Sequence, residues 1–352
     1  MTALQRAATI VPIDREIARA ARARVDALTK PPGSLGRIED LAVTLSAIEG
    51  AVVTRPYARK AILIGAGDHG VTAEGVSAYP AEVTPQMIGA FLGGHAAINA
   101  FARAAQAEVV VANFGVRGDL TPHPSLIDVC VGRGTANFAR GDAMPAADVE
   151  RALDAGARAF DDLFARGPYD VVALGEMGIG NTTSAAAIVA IVCGANAKTV
   201  TGRGTGIDDE RLGIKRRVVA NAVDRFGGAP WRAYAAGVAG YEILGLAGAM
   251  LAAAARRVPI VLDGFIVAAA ALLAQAIEPH AVGYCIAAHR SQEPGHAVAL
   301  RALGLVPLLD LDLRLGEASG AALALPLVDA ASRMIAEMQT FAEAGVSEAE
   351  PS

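Results

Sequence analysis

Residues 171–184, VVALGEMGIGNTTS, constrain the fold of this chain more than any other stretch. An apolar run breaks into a loop with glycine at positions 175, 178 and 180, and an alanine-rich segment follows Ser184. This order is typical of a strand, an anion-binding loop and a helix whose first residues are cap-type and whose free N–H groups attract phosphate. The loop matches neither the Lys-Ser/Thr phosphate loop nor a dinucleotide fingerprint, so a tight turn without a ligand is the alternative.

Apolar runs and helical patterns alternate after residue 59. The run at residues 60–67 is nearly continuous, as in a strand buried on both faces of a parallel sheet. Further strands are predicted at residues 107–113, 126–131, 169–174, 259–264, 282–287 and 306–311. Helices are predicted at residues 13–30, 37–48, 87–106, 147–166, 185–192, 211–226, 233–255 and 265–277. The pattern predicts a three-layer αβα fold with a mainly parallel, Rossmann-like sheet and ligands beyond the carboxyl ends of its strands.

Composition narrows the class of protein. Hydrophobic residues make up 53% of the chain and aromatics only 5%, so the core must consist mainly of Ala, Val, Leu and Ile. Residues 233–255 are long enough to span a membrane, but Tyr241 and Glu242 lie in the middle, which favours a packed interior helix. A net charge of -5 and the lack of a basic tract argue against nucleic-acid binding. Three dispersed cysteines and no signal peptide predict reduced thiols in a cytoplasmic protein.

Several loops carry polar residues at predicted strand ends. Asp68 and His69 follow the first strand and could orient a substrate or only cap a turn. Residues 201–210 offer glycines, an arginine and hydroxyls as a second anion cradle, and their three acids suit the first turn of the next helix better than a metal. Residues 289–296 could contact an anion or form a surface turn. No His/Cys cluster and no G-x-S-x-G motif occur, so neither a metal site nor a serine hydrolase is predicted.

Glu317 is the one carboxylate in an otherwise apolar segment near the C-terminus. Apolar surroundings disfavour the charged form of a carboxyl group and raise its proton affinity, which suits a general base. The alternative is an acid at the start of a helix, near its cap.

Seven motifs in order together resemble the nicotinate-nucleotide:dimethylbenzimidazole phosphoribosyltransferase family. They are KPPGSLG at 30–36, GDHGV at 67–71, EVTPQM at 82–87, GEMGIGNTT at 175–183, GRGTG at 202–206, HRS at 289–291 and LRLGE at 313–317. The match runs from about Lys30 to Leu327, and the combination is specific where no single motif would be.

The resemblance implies transfer of phosphoribose from nicotinate mononucleotide to 5,6-dimethylbenzimidazole, giving α-ribazole 5′-phosphate and nicotinate for the lower ligand of cobalamin. It makes Glu317 the general base of an attack with inversion and implies neither cofactor nor metal. The nucleotide-binding residues that it implies are Glu176, Gly178, Gly180, Asn181, Thr182, Gly202, Arg203, Gly204, Thr205, Lys215, Asp263, Ser291 and Arg314. The implied benzimidazole pocket consists of Ser77, Tyr79, Gln86, Met87 and Leu315.

The resemblance also implies a homodimer and a smaller helical domain beside the sheet. We expect residues 1–58 and 329–352, with a helix at 329–344 and a fraying tail from 343, to form that domain, and residues 59–328 to form the catalytic domain.

One position departs from the family pattern. Ala318 stands where the family usually has glycine, and because alanine tolerates positive φ poorly, the loop is expected to be reshaped. A non-catalytic nucleotide- or benzimidazole-binding protein is therefore the alternative.

Two other enzyme classes fit less well. A diphosphate-dependent phosphoribosyltransferase needs two acids directly after a strand, and Asp208 and Asp209 instead follow a glycine-rich loop. An NAD-dependent oxidoreductase would use the glycine spacing at 65–70, but prolines follow where a helix should begin.

Overall fold

The structure, a computed structural model, describes residues 1–347. The predicted fraying tail, residues 343–352, lies outside the described residues from position 348 onward.

Six parallel strands form one sheet in the order β3-β2-β1-β4-β5-β6. The strands are β1 (Lys60–Gly67), β2 (Ala107–Gly115), β3 (Leu126–Asp128), β4 (Val171–Met177), β5 (Ile260–Leu262) and β6 (Cys285–Ala287). Lys60 of β1 pairs with Ala107 on one side and with Val171 on the other. The strand order reverses direction between β1 and β4, and in such sheets the crevice beyond this point is where ligands bind. The predicted three-layer, Rossmann-like fold is confirmed.

Helices cover both faces of the sheet. One face is covered by α1 (Ala3–Ala7), α6 (Ala146–Ala165), α7 (Asn181–Cys193), α8 (Ala197–Val200), α9 (Asp209–Phe226), α10 (Trp231–Val238), α11 (Tyr241–Ala255), α12 (Phe265–Ile277) and α13 (Pro294–Leu303). The other face packs against α2 (Arg15–Ala27), α3 (Arg37–Glu49), α4 (Val83–Leu92), α5 (Ala97–Ala105) and α14 (Ser319–Glu337). Within the described residues the last helix is α15 (Phe341–Ala344), and two 3₁₀ turns span Gly70–Glu74 and Pro279–Tyr284.

Three predicted helices are each two helices in the structure. The segment 87–106 is broken between α4 and α5, where Gly94 takes a φ of +78°. The segment 233–255 is broken at Ala239 and Gly240, between α10 and α11. The predicted helix at 329–344 is the end of α14 followed by α15, so the domain boundary placed at 328/329 falls inside α14. The acids at 208–210 do begin a helix, since Asp208 caps α9 and accepts a hydrogen bond from the N–H of Arg211.

The predicted strand at residues 306–311 is wrong. Of these residues only Leu309 pairs, by one bridge to His289, because Pro307 has no N–H with which to extend the ladder. The strand predicted at residues 282–287 is half right, since the segment begins in a 3₁₀ turn and only Cys285–Ala287 forms β6.

The long apolar tract lies in the interior, as predicted. In α11 every residue from Tyr241 to Ala254 is buried. Within residues 1–347, no helix is both long enough and apolar enough to cross a membrane.

Candidate active site

A pocket of about 500 Å³ opens beyond the carboxyl ends of β4, β5 and β6. Its walls come from the loop after β4, the loop before α9, the start of α12, the segment after β6 and the turn before α14. The predicted residues that line it are Tyr79, Met87, Glu176, Gly178, Asn181, Thr182, Gly204, Thr205, Ser291, Arg314, Leu315 and Glu317. Segments that are more than two hundred residues apart in the chain thus meet in one cavity.

The polar end of the pocket is built on the start of α7. Gly180 occupies the N-cap position with a φ of +95° and no side-chain cap, so the predicted cap-type residues instead form the first turn of the helix. The N–H groups of Asn181 and Thr183 already donate to the carbonyls of Gly178 and Gly180, whereas the N–H of Thr182 has no hydrogen-bond partner within residues 1–347. That N–H and the positive end of the helix dipole favour an anion at this place. Lys215 lies behind this turn and donates from Nζ to Thr182 Oγ1 at 2.8 Å.

The Lys215 ammonium is buried with no carboxylate within ion-pair distance among the described residues. Burial lowers the pKa of Lys215 to about 8, and the more distant charge of Glu293 opposes that shift. An anion bound at the start of α7 would restore the charged form, because an opposite charge nearby favours ionisation.

Glu317 is 7% exposed and follows Gly316 in a turn where its own φ is +62°. Its Oε2 is buried and has no hydrogen-bond partner within residues 1–347. Burial, with a smaller contribution from the charge of Asp263, raises the pKa of Glu317 to about 7. A carboxylate in this state can accept a proton near neutral pH.

Glu176 lies beside that turn. Its Oε1 would come within 2.4 Å of a β-carbon built on Gly316, and its Oε2 accepts a hydrogen bond from the side-chain amide of Asn181. Burial raises the pKa of Glu176 to about 8, and Asp263 contributes in the same direction. Asp263 lies beneath both groups and accepts the N–H of Ala321 at 2.9 Å.

The opposite side of the pocket is apolar. Tyr79 and Leu315 are exposed at 55% and 56% of their surface, and Met87, Val83 and Ile179 line the space behind them. A flat aromatic ring fits such a wall, since apolar and aromatic side chains bind ring faces while a few polar groups orient the edge.

Seven predicted residues do not line this pocket: Ser77, Gln86, Gly180, Gly202, Arg203, Lys215 and Asp263. Lys215 and Asp263 lie directly behind lining groups, as described above. Gly202 and Arg203 line a neighbouring depression of about 600 Å³. Ser77 lies 3.3 Å from the hydroxyl of Thr205, while Gln86 is exposed.

The predicted site residues omit several that line the pocket, of which Phe265, His289 and Glu293 are the most informative. The last two lie in the segment 289–296, for which anion contact was one of two interpretations. Glu293 accepts the N–H of Gly204 at 2.9 Å and so holds the second glycine loop. All three directly follow predicted strands or lie in the polar segment after one. Their position after predicted strands was the sequence feature that could have placed them in the site.

Comparison with known proteins gives a consistent result. A phosphoribosyltransferase family model matches residues 10–346. A nicotinate-nucleotide–dimethylbenzimidazole phosphoribosyltransferase from Chloroflexus aggregans is 50% identical over 342 residues, which cover 96% of each chain. The protein of that name from Thermus thermophilus is 50% identical over 337 residues, covering 95% of this chain and 99% of its own.

A crystal structure of the Thermus thermophilus enzyme superposes on this chain with a TM-score of 0.91 at 48% identity, covering 96% of this chain and 100% of that one. Fold, length and sequence therefore agree across nearly the whole molecule. This chain belongs to the nicotinate-nucleotide–dimethylbenzimidazole phosphoribosyltransferase family and is a pentosyltransferase.

Proposed function

We propose that this enzyme transfers phosphoribose from nicotinate mononucleotide to 5,6-dimethylbenzimidazole, giving α-ribazole 5′-phosphate and nicotinate for the lower ligand of cobalamin. Membership of the family supports the two substrates. The observation that carries the mechanism is Glu317, a buried carboxylate with an unpartnered oxygen at the edge of an apolar pocket.

In the proposed reaction one ring nitrogen of dimethylbenzimidazole attacks the anomeric carbon, and the bond from that carbon to the nicotinate ring breaks. The bonding electrons pass to the nicotinate nitrogen and neutralise its positive charge. The proton on the other benzimidazole nitrogen passes to Glu317. Attack from the face opposite the leaving group inverts the configuration from β to α.

We propose that the polar end of the pocket holds the 5′-phosphate. The N–H and the hydroxyl of Thr182 at the start of α7 support this orientation, and the Lys215 ammonium would supply a counter-charge. Gly204 and Ser291 approach from two other loops. The dimethylbenzimidazole ring would then lie between Tyr79, Met87 and Leu315.

The test is chromatographic detection of α-ribazole 5′-phosphate and nicotinate after both substrates are mixed with wild type and with Glu317→Gln. We expect the substitution to lower kcat by roughly 10²–10⁴-fold, the usual contribution of a general base. Both substrates should still bind, because the glutamine keeps the shape of the side chain. Glu278→Gln, at a remote 3₁₀ turn, is the matched control and should retain full activity.

A Glu317→Gln enzyme with more than a tenth of the wild-type rate would exclude Glu317 as the base. A wild-type protein that binds both substrates and forms no product would instead be a non-catalytic binding protein. This is the alternative that the departure at Ala318 raised.

The pH dependence offers a second check on Glu317. Since the base must be ionised, kcat/KM should rise as pH increases through the Glu317 pKa of about 7 and level off above it. The rise should be absent from the residual activity of Glu317→Gln. A wild-type profile that is flat between pH 6 and 8 would contradict the assignment.

We also propose a cytoplasmic homodimer. The exposed side chains of Tyr79 and Leu315 form an apolar surface at the mouth of the pocket, which supports the dimer. The three cysteines are all free, which supports the cytoplasmic location. Sedimentation velocity should give twice the chain mass of 35.8 kDa, and a single-chain mass at micromolar concentration would contradict the dimer.

A further inference from the structure

Three buried polar side chains form a chain of hydrogen bonds beneath the start of α7. Nε2 of His69 lies 2.6 Å from Glu242 Oε1, and Nδ1 lies 3.1 Å from Ser184 Oγ. All three residues are at most 1% exposed. Donation from Nε2 to the carboxylate leaves Nδ1 of the neutral ring to accept the hydroxyl proton of Ser184. The proposed mechanism uses none of these groups.

The surrounding backbone leaves room for this network. A β-carbon on Gly240 would lie 2.4 Å from His69 Cε1, and one on Gly67 would lie 2.7 Å from Glu242 Oε2. Neither position therefore admits a side chain while the His69–Glu242 pair is in place.

Such a pair is a costly way to fill space. Taking a carboxylate out of water is unfavourable, and Glu242 Oε2 has no hydrogen-bond partner within residues 1–347. Well-packed apolar residues of similar volume are often as stabilising or more so. This cost is explained if the network holds a functional part of the protein in position.

The network reaches the active site at two points. Ser184 belongs to the first turn of α7, the turn that contributes Asn181 and Thr182 to the pocket. The loop between β4 and α7 also rests on the His69 segment, since a β-carbon on Gly180 would lie 3.3 Å from His69 Cβ. In addition, the charge of Glu242 contributes to the raised pKa of Glu176.

We propose that His69 is a positioning residue: bridging Ser184 and Glu242, it ties the first turn of α7 to β1 and α11 and so holds the N–H and hydroxyl of Thr182 where the donor's phosphate needs them. This inference rests on the proposed function, because it assigns the phosphate to that turn. His69 itself touches neither substrate, being enclosed by α7, α11 and the loop after β1.

The test compares donor affinity with stability. An apolar double variant, His69→Leu with Glu242→Met, fills the space without the bridge. We expect its melting temperature to stay near or above that of wild type, while the Kd and KM for nicotinate mononucleotide rise about tenfold, as for loss of a charge-assisted hydrogen bond. The KM for dimethylbenzimidazole should change much less.

Ser184→Ala covers the case in which the double variant does not fold, since it removes one hydroxyl. It should weaken donor binding about threefold, within the usual range for one hydrogen bond. Ser46→Ala is its control: Ser46 of α3 is also fully buried, and its hydroxyl donates to the carbonyl of Ala42 and accepts from the N–H of Val53, which lies beyond the end of that helix. It should lower the melting temperature without changing donor affinity.

The proposal would be overturned if the double variant and Ser184→Ala both bound nicotinate mononucleotide as tightly as the wild type does. The network would then contribute only to stability. Calorimetry measures donor binding without turnover. A protein that binds nicotinate mononucleotide but forms no α-ribazole 5′-phosphate would therefore refute the proposed function while still giving the affinities compared here.

Discussion

Three consecutive residues before α14 adopt the left-handed conformation: Gly316, Glu317 and Ala318 have φ values of +87°, +62° and +67°. This turn directs the Glu317 carboxyl group into the pocket and presses Ala318, which is 0% exposed, against Gly175 of β4. An L-residue other than glycine costs roughly 1–2 kcal/mol in this region. Glu317, the proposed general base, is therefore held in a strained turn that packs against strand β4.

Gly175 is the position on which this support depends. A β-carbon there would lie 2.3 Å from the backbone nitrogen of Ala318 and 2.4 Å from its Cβ. We expect Gly175→Ala to lower the free energy of unfolding by roughly 2–3 kcal/mol, as overpacking a rigid site does. It should also reduce kcat by displacing Glu317. Urea denaturation and a product assay measure the two effects.

Ala318→Gly should only partly rescue Gly175→Ala, because it removes the contact between the two β-carbons and leaves the one with the backbone nitrogen. Because Ala318→Gly also relieves the strain of a positive φ, its effect in the wild-type background is subtracted first. Full recovery after that subtraction would show that backbone crowding has no role. A Gly175→Ala protein as stable as wild type would refute the packing argument itself.

For some residues of this site, the sequence around the residue was enough to predict its environment. Glu317 sits among apolar neighbours in the sequence, which was enough to predict a buried carboxyl group. The influence of Asp263 on it was not predictable, because fifty-four positions separate the two and only the sheet brings them together. Lys215 could be placed near the nucleotide by resemblance alone, and its contact with Thr182 depends on how α7 packs against α9.

At the scale of elements, α6 and α11 pack with almost no side chain between their backbones. A β-carbon on Gly156 of α6 would lie 1.8 Å from the carbonyl oxygen of Gly245, and one on Gly248 of α11 would lie 2.0 Å from that of Leu153. This packing is how a chain with few aromatics covers one face of its sheet. Small residues allow close approach, and many weak contacts replace a few large ones.

Gly156→Ala should therefore destabilise the protein by about 2–3 kcal/mol, because a rigid backbone atom occupies the place of the new methyl group. Gly213→Ala in α9 is the matched control, since the nearest atom to its β-carbon would be 3.7 Å away at the end of the Arg217 side chain. That control should stabilise by roughly 0.5–1 kcal/mol through helix propensity. Equal effects of the two substitutions in chemical denaturation would contradict close packing of α6 and α11.

Element type was easier to predict from sequence than element ends. The helix at 265–277 was predicted to the residue, because a glycine precedes it and its apolar run is continuous. The breaks at Gly94 and Gly240 were missed because a helix tolerates a single glycine, and only the packing of the next helix decides whether the chain turns there. Helix α13 was missed entirely, as its first residues read as a polar turn.

At the scale of the whole molecule, the chain divides less simply than the proposed domains suggest. Helices α2 and α3 pack with α14, and Leu28 bridges to Thr340, which supports a small helical domain from both ends of the chain. Helix α1 instead lies on the opposite face, where the N–H of Ala3 donates to Asp154 at 2.7 Å. We propose that the small domain is anchored to the sheet through α14, whose first turn follows Glu317.

The carboxyl edge of the sheet should govern stability near neutral pH. The folded-state pKa values of Glu176 and Glu317, about 8 and about 7, lie above the ordinary value of 4.5. A carboxyl group with a raised pKa stabilises the fold fully below its unfolded value, and this stability is lost as pH rises through the folded value. Two other buried groups change the pH dependence of stability only outside the range from about pH 6.5 to about pH 8. The pKa of His296 is lowered from 6.5 to about 3, so its effect changes with pH only below about pH 6.5. The pKa of Lys215 is lowered from 10.5 to about 8, so its effect changes only above about pH 8.

Between pH 6.5 and 8, therefore, the free energy of unfolding should fall as pH rises, with a slope of up to about 1.4 kcal/mol per pH unit for each proton lost. Urea titrations at several pH values measure the slope directly. The Glu176→Gln, Glu317→Gln double variant should flatten it, since neither amide ionises, and should be more stable than wild type at pH 8. A slope that survives in the double variant would place the titrating groups elsewhere in the molecule. It would also contradict a Glu317 pKa of about 7, the value on which the proposed proton transfer near neutral pH depends.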